Sequence, residues 1–170
     1  LLSTVLRYPF NQRRALSRML DSMPAAATVW DGLLAQRPVT AIVGTDAHTR
    51  WPSYESVFNV ARNHVILDSP LSGESKEDIV TIVDALTAGR VFVGIDGIAP
   101  TGGFFFIAER GDQTWTIGDT IRPAPPARLV AGGVAHPDAT VNLLKDGTVV
   151  ASGTGSVTAT ASGSGVYRVE

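Results

Sequence analysis

Asp46 and His48, in the run Gly44-Thr45-Asp46-Ala47-His48, are the residues of this chain whose types and spacing point most directly to chemistry. They lie two positions apart, so in an extended segment both side chains leave the same face. A carboxylate and an imidazole side by side make half of a hard-to-borderline metal site, suited to divalent Zn, Mn or Fe. Gly44, just before them, lets the backbone approach a metal or a phosphate closely. A plainer reading has Asp46 opening an Asx turn and His48 exposed in a loop. Spacing alone leaves both open. Arg50 stands two positions beyond His48, where it either reaches a substrate phosphate or lies solvated on the loop.

The other reactive side chains carry less. His64 begins a strand pattern and reads as a core or strand-edge residue, and His136 sits in a His-Pro-Asp turn. Arg7, Arg13, Arg14 and Arg18 cluster around a first helix, where Arg14 and Arg18 are i, i+4 neighbours on a solvated face. Asp96, before Gly97, reads as a turn residue, and Arg90 as a cation complementing a helix C-terminus. Trp30 and Trp115 read as core residues.

Residues 1–99 alternate helical and strand signals. Leu16, Met19, Leu20 and Met23 share one face of a helix from Asn11 to Met23 that Pro24 stops. A short helix carries Trp30, Leu33 and Leu34, and Val39 to Val43 is a continuous apolar run suited to a buried parallel strand. Tyr54, Val57, Phe58 and Ala61 mark another helix, and His64 to Leu67 the next strand. The clearest helix runs from Lys76 to Ala88: Ser75 and Asp78 form its cap, Ile79, Ile82, Val83 and Leu86 its stripe, and Gly89 its stop. Val91 to Ile95 follows as a strand. This alternation predicts an α/β unit with a parallel sheet or barrel.

From Thr101 on, the helical period is gone. Strands are predicted at Phe104–Ile107, Thr114–Ile117, Arg128–Ala131, Thr140–Leu144, Thr148–Ala151, Ser156–Thr160 and Gly165–Val169. Lys145-Asp146-Gly147 and Ser162-Gly163-Ser164-Gly165 read as hairpin turns, and Pro123-Ala124-Pro125-Pro126 as a stiff connection. Short strands between turn residues at this spacing predict an immunoglobulin-like sandwich over 100–170, with the boundary near Ile98 to Gly103.

Composition excludes several classes. The chain has 170 residues, 14 basic and 16 acidic side chains and a net charge of −2, which lacks the basic footprint of a nucleic-acid binder. Without cysteine there is no disulfide scaffold, thiolate zinc site or cysteine nucleophile. No apolar run approaches the roughly 20 residues of a membrane span, and no signal-peptide pattern opens the chain. It begins Leu1-Leu2-Ser3 and ends mid-strand at Glu170, so it reads as a fragment, and its localisation stays open.

The stretch from Trp30-Asp31 through Val39 to Gly44-Thr45-Asp46-Ala47-His48 resembles the C-terminal part of PHP-family proteins (polymerase and histidinol phosphatase). Pro70-Leu71-Ser72, Ala85 to Arg90 and Gly103-Phe104 extend the likeness. The family consists of metal-dependent phosphoesterases on a distorted β/α barrel. The chain is most similar to members whose barrel is followed by an immunoglobulin-like domain reaching a Gly-Val-Tyr-Arg-Val-Glu strand, as residues 165–170 do. The fold so implied is the C-terminal part of that barrel followed by an all-β sandwich. The resemblance makes Asp46 and His48 ligands of a two- or three-metal cluster acting on a phosphate ester, a small molecule or a nucleotide. It also implies a His-x-His pair and further ligands upstream of Leu1. Two ligands cannot close a useful site, so the chain alone is expected to lack phosphatase activity. Part of a barrel leaves strand edges and an apolar face uncovered, so self-association is expected. A binding or structural module, and a degenerate PHP protein without chemistry, are the alternatives.

Overall fold

The computed structural model describes residues 24–44, 54–136 and 138–170. The helix read at Asn11 to Met23 lies outside them. Helix α1 is Pro24–Leu34. Proline suits a helix's first turn, where its missing N–H leaves no bond unmade. Ala27, Trp30, Asp31 and Leu34, at i, i+3, i+4, i+7, are its sheltered face.

Val39 to Val43 joins no β-ladder, which corrects the strand expected there. Side chains bond three of its backbone groups instead. Trp30 Nε1 donates to the Val39 carbonyl at 2.8 Å. Asn63 clasps Val43 from both sides, accepting its N–H at 2.8 Å and donating to its carbonyl at 2.9 Å. The Thr40 hydroxyl donates to the Leu86 carbonyl at 2.9 Å. An apolar run announces burial but not its partner, and Ile42 here remains 67% exposed.

After helix α2 (Tyr54–Phe58), strand β1 (Arg62–Val65) leads by way of helix α3 (Ser75–Thr87) to strand β2 (Val91–Gly94). β1 and β2 pair antiparallel, Arg62 opposite Gly94 and Val65 opposite Val91, where the sequence predicts parallel pairing. The turn out of α3 leads straight into β2. Gly89 adopts φ 76°, Arg90 N–H bonds the Ala85 carbonyl and Gly89 N–H the Leu86 carbonyl, a Schellman stop. Arg90 then meets Ile66 across the start of the ladder at 2.8 Å.

The start of α3 differs from the expected Ser75 cap. The Asp78 carboxylate reaches back to accept from Ser72 N–H (2.7 Å), Ser72 Oγ (2.9 Å) and Gly73 N–H (3.0 Å). Partial desolvation opposes its charge, but these bonds hold its carboxyl below the usual range. The predicted stripe also splits. Ala85 is buried and Ile82 and Leu86 half-buried, whereas Ile79, Val80 and Val83 are 60%, 58% and 51% exposed.

The remaining strands form two antiparallel sheets. β3 (Phe105–Arg110), β4 (Gln113–Thr116), β5 (Arg128–Gly132) and β8 (Val157–Thr160) take the order β4-β3-β5-β8; β6 (Thr140–Lys145), β7 (Thr148–Thr154) and β9 (Tyr167–Val169) take β7-β6-β9. Leu129, Ala131 and Val157 of the first sheet share one core with Val141 and Leu143 of the second. Asp146 (φ 50°) and Gly147 (φ 80°) make the tight β6–β7 turn that the sequence predicts. Ser162 to Gly165 is not a hairpin, because β8 and β9 belong to different sheets. It is a corner between the sheets, pinned by the Tyr167 hydroxyl, which accepts from Ser162 N–H (2.8 Å) and donates to Ser162 C=O (3.1 Å). The three sheets of the described residues are open. Among these residues, no helix is long and apolar enough to cross a membrane.

Candidate functional site

Asp46, His48 and Arg50 lie outside the described residues, as do Arg7, Arg13, Arg14 and Arg18. What the structure defines is the approach to them. The Val39–Gly44 segment is tethered to α1 by Trp30, to α3 by Thr40 and to β1 by Asn63, so three elements of one half fix where the chain reaches Gly44. Gly44 itself is exposed, and a Cβ there would meet nothing within 4 Å. Among the described residues, no group of three or more His, Asp or Glu is arranged to hold a metal ion.

A polar cluster that the sequence did not announce lies on the other face of β1. Strand alternation sends Arg62 and His64 to the side opposite Asn63. Asp96, in the turn after β2, pairs with Arg62 at 3.1 Å and accepts from Thr101 Oγ1 (2.6 Å) and Thr101 N–H (3.0 Å). The same hydroxyl meets His64 Nε2 at 2.9 Å. Burial works against the Asp96 charge. The Thr101 bonds and the positive charges of Arg62 and His64 outweigh it and keep the carboxyl below its usual range. His64 stacks on Phe92 with centroids 4.6 Å apart, and Phe92 meets Phe104 edge-on at 5.0 Å. Thr101 and Phe104 both come from the start of the β half, so the cluster is a joint between the halves. The readings of His64 as a strand residue and Asp96 as a turn residue agree with this placement. Thr101 was missed; its one signal is an Asp five residues upstream across Gly97, a loop-closing spacing.

Arg90 follows the Gly89 stop of α3, and carboxylates meet its charge. Its guanidinium pairs with Asp68, and with Asp119 at 3.3 Å. A pocket of about 340 Å³ opens beside it, with Ser69, Thr81 and Asp84 among its walls. With two carboxylates on its one cation, this hollow is not an anion site. His136 Nδ1 accepts from Asp138 N–H at 3.3 Å, within its turn.

The second joint brings Asp31 of α1 together with the 165–170 stretch. Arg168 of β9 donates to both carboxylate oxygens of Asp31 in α1, Nε to Oδ1 at 2.6 Å and Nη2 to Oδ2 at 2.8 Å. The pair is sheltered, at 12% and 17% side-chain exposure. Arg168 also bonds Glu170 at 2.8 Å and lies over the Trp30 ring at 5.9 Å. The fork from Arg168 holds the Asp31 carboxyl below its usual range despite partial burial. Comparison with protein-family models, curated proteins and solved structures finds no match to this chain. The family reading therefore rests on the residues quoted for it.

Proposed function

We propose that the chain is the C-terminal part of a PHP-type metal-dependent phosphoesterase, with Asp46 and His48 as two of its metal ligands. The observation that carries this is the Gly44-Thr45-Asp46-Ala47-His48 run, entered from a segment that α1, α3 and β1 all tether. The donor set fits a divalent Zn, Mn or Fe ion in kind but falls short in number, so the remaining ligands come from outside these residues. Bound divalent ions supply Lewis acidity to such a site: they neutralise phosphoryl oxygens and acidify a water. Asp46 and His48 hold and orient; Arg50 binds a phosphoryl oxygen of a small phosphate ester or nucleotide. The β half is read as an immunoglobulin-like sandwich. Its β5–β8 and β6–β9 pairings and the tyrosine corner at Tyr167 support that.

Alone, the chain hydrolyses no phosphate ester under this reading. The exposed Ile42, Ile79, Val80 and Val83 support self-association of the isolated chain, which light scattering would reveal as a mass above 17.9 kDa. The functional test is hydrolysis of a generic phosphomonoester by the full-length protein. Asp46→Ala is expected to lower turnover by about 10²-fold or more, as loss of a metal ligand does. Unchanged turnover overturns the assignment. A full-length protein inert in every divalent metal favours the degenerate, non-catalytic reading.

A further inference from the structure

We infer that Arg168 is a positioning residue: from the β half, through α1, it sets the placement of the Val39–Gly44 segment. Its importance for chemistry rests on the reading of Asp46 and His48 above. Its geometry does not.

The path is short and every link is directional. Two parallel N–H···O bonds fix the guanidinium plane against the Asp31 carboxylate, which a point charge would not do. Glu170 holds the third nitrogen of the fork. Behind Asp31 the β6–β7 turn closes in: a Cβ at Gly147 would lie 3.0 Å from Asp31 Oδ2. The carboxylate thus has one seat, shaped by β9 on one side and the turn on the other. Trp30 is the next residue of the same helix, under the Arg168 guanidinium, and its indole N–H holds the Val39 carbonyl. An α-helix is stiff over one residue, so the orientation fixed at Asp31 is delivered at Trp30. Of the three tethers on the segment, those from Thr40 and Asn63 stay within the first half. The Trp30 bond leads to the sandwich. The β half is then part of the frame that sets the entry to Gly44.

Amide hydrogen exchange on the 170-residue chain tests this. Two variants probe the path: Arg168→Lys, which keeps the charge and loses the fork, and Trp30→Phe, which keeps an aromatic ring and the ion pair and loses the indole donor with the pyrrole part of the ring. In both, the Val43 amide, which donates to Asn63 Oδ1, is expected to exchange about five- to tenfold faster, the worth of one hydrogen bond. The core amides of β5 and β6 should stay unchanged. Unchanged exchange at Val43 in either variant overturns the proposal. So does acceleration spread evenly through the sandwich, which marks a merely structural role. A Zn²⁺ titration of the full-length protein, followed by the His48 imidazole signals, separates the two readings. Wild-type protein whose His48 signals do not move contradicts the metal assignment and leaves the exchange result standing. A response that weakens several-fold in Trp30→Phe supports positioning of the site; an equal response despite faster exchange refutes it.

Discussion

A Cβ at position 94 would lie 1.9 Å from Thr101 Oγ1 and 2.9 Å from His64 Nε2, so glycine is the residue that lets Thr101 sit between His64 and Asp96. Gly94→Ala is expected to cost about 1–3 kcal/mol, the usual penalty of overpacking, read as a lower midpoint in thermal or urea unfolding. A melt like wild type would mean that the joint gives way easily. The same scale fixes the response to acid. Asp31, Asp78 and Asp96 all have carboxyls held below their ordinary range by the bonds they accept. In the region near pH 4 and below, the unfolded chain therefore binds more protons than the folded one. Stability present above that range is lost as pH falls through it. Urea midpoints measured from pH 6 to pH 3 should fall, and Asp96→Asn should flatten part of the drop. A midpoint that rises on acidification would contradict these assignments.

Among the elements, the turn after α3 separates two kinds of glycine. A Cβ at Gly89 meets Gly118 Cα at 3.7 Å and Thr40 Oγ1 at 3.8 Å, ordinary contacts, so Gly89→Ala costs only its left-handed φ of 76°, about 1–2 kcal/mol. A Cβ at Gly118 would sit 2.5 Å from the Ala88 carbonyl oxygen, so Gly118→Ala adds a clash with backbone and should destabilise more. Equal melting temperatures for the two variants would refute that ranking. Gly89 was legible in the sequence because a glycine after an apolar stripe has one physical use there. The strands of the β half were legible for a similar reason. Each is short, apolar residues recur in it, and turn residues bound it, so β5, β6 and β7 lie within a few residues of where the pattern puts them. Val39 to Val43 was not legible. Trp30, Thr40 and Asn63 replace its ladder with side-chain bonds that no periodicity records. Nor does the apolar count of α3 say which side is inward, and Ile79 and Val83 turned out to lie on the outer one.

For the molecule as a whole, the telling contacts are those that join the halves across long sequence separation. Arg168 and Asp31 form a sheltered pair, and removing one partner strands the other's charge. Arg168→Ala is therefore expected to cost about 1.5–3 kcal/mol, the worth of hydrogen bonds to a charged group, whereas the double change Arg168→Leu with Asp31→Leu should cost far less. Equal losses in the two proteins would show that the pair is not coupled. The sequence carried both Trp30-Asp31 and Tyr167-Arg168 but nothing that says they meet, because ion-pair partners have no spacing rule across a fold. The candidate ligands were legible only as a pentapeptide, and the structure adds the frame that leads to it. The central claim, that Asp46 and His48 bind metal, is met most directly by metal content. Full-length protein equilibrated with Zn²⁺ or Mn²⁺, washed, and analysed by plasma mass spectrometry should retain divalent metal. The Asp46→Ala/His48→Ala variant should retain at least one equivalent less. Equal metal in the two proteins, or none in either, would contradict the account.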